Sequence, residues 1–120
     1  MKVSEILDAA ADKLAAPGAW TQGAEAFDAN GRIVVATSPE ACKWCWRGAM
    51  VASDPGFVTA VASAMHFVRW NLPDYLESKG RSWVDSRFGV TGFNDQRCTT
   101  QDLVVQTSRD LAAMARSVGR

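Results

Sequence analysis

Apolar side chains recur at helical spacing over most of this chain and at strand spacing over one short stretch. Val3, Ile6, Leu7, Ala10 and Leu14 share one face of a helix, with Glu5, Asp8, Asp12 and Lys13 on the other, which predicts an amphipathic first helix from about Ser4 to Ala15. Pro17-Gly18 stops it, and Trp20-Thr21-Gln22-Gly23 is too short and polar for an element of its own, so Trp20 is expected to plug back into the core. From Ala24 to Ala36 the pattern alternates about Asn30-Gly31, two residues that tolerate the positive φ of a type I′ turn. This predicts a hairpin with Phe27 opposite Val34, and since a lone hairpin is marginal it is expected to pack on helices.

The stretch from Ser38 to Ser53 reads as a central helix. Ser38 fits an N-cap, Pro39 the first helical position, and Glu40 the positive end of the dipole. Cys42, Cys45, Trp46 and Ala49 then fall on one face, expected to be buried, while Gly48 and Ala49 leave room for another backbone. A second long helix is predicted from Pro55 to about Trp70, burying Val58, Val61, Met65, Val68 and Leu72 and turning Thr59, Ala62, His66 and Arg69 outward. Pro73 should break or kink it, with a short turn from Asp74 to Lys79 ended by Gly80. Ser82 to Phe88 reads as a brief helix and Val90 to Gln96 as a surface loop; Thr99 with Asp102 has capping-box spacing ahead of a last amphipathic helix through Leu103, Val104, Thr107, Leu111, Met114 and Val118. The expected fold class is α+β: one mostly helical domain over residues 1–120, with about four main helices packed with one β-hairpin.

Charge narrows the partners. Thirteen basic and thirteen acidic residues give a net charge of zero with neither sign gathered into a block, which weakens the case for nucleic acid. Acids at Glu5, Asp8 and Asp12 argue against a signal peptide, and no apolar run approaches a membrane span, so no membrane partner is expected. Three cysteines, an odd number, fit reduced thiols and a cytoplasmic location better than a disulfide framework.

Cys42-Lys43-Trp44-Cys45 is formally a C-x-x-C, and with Cys98 and His66 it would complete a zinc set. The spacing lacks a second paired knuckle and the redox motif lacks its βαβ setting, so buried structural thiols are the simpler reading and no metal or cofactor is assigned. A cysteine nucleophile would pair Cys45 with His66 and with Asn94 or Asp95. The helical reading instead turns Cys45 inward and His66 outward. Common nucleotide-binding and hydrolase motifs do not occur in the chain.

Trp20-Thr21-Gln22-Gly23, the run Trp44-Cys45-Trp46-Arg47-Gly48-Ala49, and Phe93-Asn94-Asp95 ahead of the final helix follow one another in an order that resembles a family of small bacterial and bacteriophage proteins known only as a domain of unknown function. The likeness spans roughly Ile6 to Ala115. It departs at Phe93, where a tryptophan is expected, and the segment from Asp74 to Phe88 is longer than usual. The resemblance implies a compact accessory protein and brings no catalytic residues with it; small phage-borne proteins of this kind often bind a host protein, defence machinery included.

Two functions are carried forward. The first is a non-catalytic protein-binding module, regulatory or inhibitory, that meets another protein through Trp20, Gln22, Trp83, Arg87, Phe93, Asn94 and Asp95, because Trp, Phe and Arg cluster in the segment from Gly80 to Cys98. The second is a small-molecule-binding or cysteine-dependent site around Cys45, Gln22, Asn94 and Asp95. The oligomeric state is not legible.

Overall fold

The computed structural model describes residues 1–56, 58–81 and 89–120. Among these residues the chain forms α1 (Val3–Leu14), β1 (Ala26–Phe27), β2 (Ile33–Val34), β3 (Lys43–Trp44), α2 (Trp46–Ser53), α3 (Val58–Ser78), α4 (Gly89–Asn94) and α5 (Gln101–Ser117). The fold is α+β, with a small antiparallel sheet of order β2-β1-β3 beside the helices. No helix of the described residues is long and apolar enough to cross a membrane.

α1 buries the face its sequence predicts, with Ile6, Leu7, Ala10 and Leu14 fully enclosed against α5 and α2. Across this packing the Trp46 indole N–H donates to Ser108 Oγ (3.1 Å), and the Ser108 hydroxyl donates to the Leu7 carbonyl (2.7 Å). One serine therefore joins α1, α2 and α5 inside the core, where an unpaired indole N–H would be costly. On the outside Arg109 meets Asp12 at 2.9 Å and Arg116 meets Asp8.

The hairpin lies where Asn30-Gly31 predicts, but its register differs by one residue. Ala26 opposes Val34 and Phe27 opposes Ile33. Asp28 explains the shift: its Oδ1 accepts from the backbone N–H of Asn30 and of Arg32 (both 2.9 Å), building a longer turn in which Gly31, at φ 78°, has the positive φ. The expectation that helices alone hold this hairpin is also corrected, because β3 pairs with β1 as a third strand.

That strand displaces the predicted start of the central helix. Ser38 and Pro39 lie in a turn, Cys42 is exposed, and α2 begins only at Trp46 with Cys45 as its N-cap. Local capping signals at Ser38 lose to the backbone bonds that Lys43 and Trp44 make in the sheet. Gly48 then lets α2 press on the chain before β1: a Cβ there would sit 2.0 Å from the Glu25 carbonyl oxygen.

α3 runs unbroken through Pro73, where a break or kink is expected. Pro73 is exposed, so the carbonyl four residues earlier, which loses its partner, can turn to water, while buried Leu72, Tyr75 and Leu76 hold the continuation against the core. The predicted surface loop from Val90 to Gln96 is another correction: Gly89–Asn94 is a short helix that buries Val90, Phe93 and Asn94. α5 is capped by Thr100, whose hydroxyl accepts from Leu103 N–H (3.2 Å), one residue after the predicted cap, and Thr99 instead donates to the Phe93 carbonyl (2.8 Å). The brief helix predicted over Ser82 to Phe88 lies outside the described residues.

Candidate functional site

The short motifs set apart in the sequence converge in space, and what they build is a buried polar knot. Asn94 stands at the end of α4 with no exposed surface. Its Oδ1 accepts from the Trp20 indole N–H (2.7 Å) and from the backbone N–H of Trp46 (3.0 Å). Its Nδ2 donates to the Thr21 carbonyl (3.1 Å) and to Asp95 Oδ1 (3.0 Å). The amide thus has two donated and two accepted bonds, which is what its buried position demands. Gln22 completes the arrangement by donating to the carbonyls of Asn94 and Gln96 (both 2.9 Å), and Gly23 N–H donates to Asp95 Oδ1 (3.2 Å). Trp46, the first residue of α2, packs edge-on against Phe93, with ring centroids 5.7 Å apart.

Trp20, Gln22, Asn94 and Asp95 lie together, but their polar groups face one another. Phe93 and Asn94 are fully enclosed and present no outer contact surface, which corrects the sequence reading at those two positions. The physical reason is that α4 replaces the expected loop and turns both inward. Trp83 and Arg87 lie outside the described residues.

Cys45 adjoins this knot. Its Sγ accepts from Gly48 N–H (3.3 Å) as the cap of α2, and its own N–H donates to the Glu25 carbonyl (3.2 Å). A helix N-terminus ordinarily lowers a thiol pKa. Here burial dominates and pushes the Cys45 thiol up, against the lowering by the Gly48 and Arg47 N–H groups, with the nearby Asp95 and Glu25 charges adding to the rise. The thiol shares a small cavity of about 110 Å³ with Asp95, Glu25 and Arg47. His66, the base that a cysteine nucleophile would need, is exposed on α3 and borders different cavities. Cys42 and Cys98 are exposed, and among the described residues no three His, Cys, Asp or Glu side chains gather as a metal would require.

The open surface lies elsewhere. A groove of about 430 Å³ runs between α2, α3 and α4, with Val51, Val61, Met65 and Val90 among its apolar lining and Arg47, His66 and Arg69 among its polar lining. Asp54, buried beside it, has its Oδ2 3.7 Å from the Met1 ammonium. A second depression of about 480 Å³ is lined by His66, Arg69, Trp70 and Pro73. His66 and Arg69 border both, so the two depressions adjoin along the outer side of α3. Trp70 stands out there, 71% exposed, in an edge-to-face pair with His66 whose ring centroids are 5.9 Å apart.

Sequence reasoning overlooked Trp70, although a signal was present. The buried stripe of α3 passes through Val61, Val68 and Leu72, and Trp70 falls off that stripe, four residues after His66 and beside Arg69. A large aromatic on the polar face of a helix is the informative kind of exposure.

The chain matches a family of unknown function, DUF6197, over residues 1–114. Among curated proteins and among solved structures, none matches it.

Proposed function

Since the chain belongs to that family over nearly its whole length, and the family carries no assigned activity, its own surface has to supply the reading, and we propose that it is a non-catalytic protein-binding module that docks a partner on the outer face of α3. The observation that carries this is Trp70, a tryptophan 71% exposed between a histidine, an arginine and a proline on a rigid helix. Trp and Arg are the residue types richest in interface hot spots, and a helix holds them without the ordering cost of a loop. Such a module acts by covering a site on its partner, which makes it a regulator or an inhibitor; in a bacterial or bacteriophage setting the partner would be a host protein, defence machinery included.

Recovery of bound proteins by tagged wild-type chain, a Trp70→Ala variant and an Ile33→Ala variant tests the reading. Ile33 is equally exposed, at 72%, but sits on the sheet. The wild type and the Ile33→Ala variant should retain the same bound protein and the Trp70→Ala variant should lose it. Equal recovery by all three overturns the proposal.

A cysteine-dependent site around Cys45, Gln22, Asn94 and Asp95 is the alternative. The shared cavity of Cys45 and Asp95 favours it, while the buried thiol with its raised pKa and the internal bonding of Gln22 and Asn94 weigh against it.

A further inference from the structure

Resting on the α3 reading above, we infer that the groove between α2, α3 and α4 takes an acidic segment of the partner protein: an apolar side chain enters the groove and a neighbouring carboxylate lies between Arg47 and Arg69. Three observations support this choice of occupant. First, the groove has an apolar lining from Val51, Val61, Met65 and Val90, on three different helices, and its volume of about 430 Å³ suits one or two side chains. Second, the charge at its rim is positive and uncommitted. Arg47 and Arg69 are exposed, and neither has an ion pair among the described residues. Among the described residues the carboxylate that borders the groove is Asp54, which is buried, with its Oδ2 3.7 Å from the Met1 ammonium and without a hydrogen bond. Glu25 and Asp95 lie beyond Arg47 on the smaller cavity, outside the groove itself.

Third, a second depression, bordered by Trp70, adjoins the groove at His66 and Arg69, so the two together offer an elongated surface. A free carboxylate compound would fill one end of it. A stretch of polypeptide spans both, with a second apolar side chain against the Trp70 ring and its acidic group held by guanidinium donors suited to a carboxylate. Electrostatic attraction of this kind selects and steers a partner, while the apolar anchor supplies the affinity.

The test is a titration of ¹⁵N-labelled protein followed by amide and indole N–H shifts. The probes are the capped peptide acetyl-Leu-Asp-Glu-Leu-Leu-Asp-amide, its counterpart with lysine at every acidic position, and N-acetyl-aspartate alone. The acidic peptide should shift signals of Arg47, Met65, Arg69 and the Trp70 indole, binding at least tenfold tighter than the lysine peptide and than N-acetyl-aspartate. An Arg47→Glu/Arg69→Glu variant, changed only at exposed positions, should reverse the peptide preference. Absence of groove shifts at millimolar peptide, or equal response to the lysine peptide, overturns the inference; so does N-acetyl-aspartate binding as tightly as the peptide, which marks a small-carboxylate site. The two proposals fail separately. Lost peptide binding with partner recovery still dependent on Trp70 removes the acidic segment alone, and recovery indifferent to Trp70 removes the docking face.

Discussion

Asn94 ties three parts of this structure together. It is fully buried and its amide joins the loop at Trp20 and Thr21, the first turn of α2 and the neighbouring Asp95. Replacing it with alanine takes the partner from the buried Trp46 N–H and from the half-buried Trp20 indole N–H and Thr21 carbonyl; leaving a buried group unpaired costs about 1–3 kcal/mol, and half-buried ones add to it. An Asn94→Ala variant should lose about 3 kcal/mol or more in chemical denaturation. The second prediction at this scale concerns the thiols. A disulfide reagent at pH 8 should titrate Cys42 and Cys98 rapidly and reach Cys45 only after denaturation, because Cys45 is buried with its thiol pKa raised. A third fast thiol in the folded protein would revive the cysteine-dependent site.

The helices differ in how far local sequence determines them. α1 was legible almost to the residue, because its apolar stripe is long and its polar face clean, and α5 was legible in extent, although Val118, expected on its apolar stripe, lies past its end and is exposed. The start of α2 was not. Ser38-Pro39-Glu40 satisfies every local rule for a helix start, yet the pairing of Lys43 and Trp44 with β1 is non-local and left no mark in that stretch. α4 was hidden for another reason: it is six residues long with two glycines, and such a helix exists because Val90, Phe93 and Asn94 are buried, not because its residues favour it. Of the site, the sequence marked Trp20, Gln22, Phe93, Asn94 and Asp95 among its candidate contacts but could not tell a recognition surface from an internal bond network. The close approach at Gly48 was legible, since a glycine inside a helix calls for a packing reason. A Gly48→Ala variant should cost about 1–3 kcal/mol, measured by thermal unfolding, because its methyl group would meet the Glu25 carbonyl.

At the scale of the whole molecule, two weak acids make stability fall in alkali. Burial, then the hydrogen bond to Asp110 and its charge, push the Tyr75 phenol from 10.0 up to about 12, and burial raises the Cys45 thiol above 9.0. A group with its pKa raised on folding stabilises the protein fully below its unfolded pKa and ceases to do so as pH rises through the folded one. Stability should therefore hold below about pH 9 and decline from there, with Tyr75 acting between about 10 and 12. Tyr75→Phe should flatten the upper part of a melting-temperature profile taken from pH 8 to 12, and an unchanged slope would contradict the assignment.

The motif residues thus close the fold, and the outer face of α3 is left for recognition. Thermal unfolding of Asn94→Ala and Trp70→Ala, side by side with the wild type, tests that division most directly. With 120 residues and several orphaned groups, Asn94→Ala should melt roughly 10 °C lower, whereas truncating an exposed indole should leave Trp70→Ala within about 2 °C of the wild type. A large loss at Trp70 with none at Asn94 would mean that the tryptophan holds the fold and the asparagine does not, the opposite of the account given.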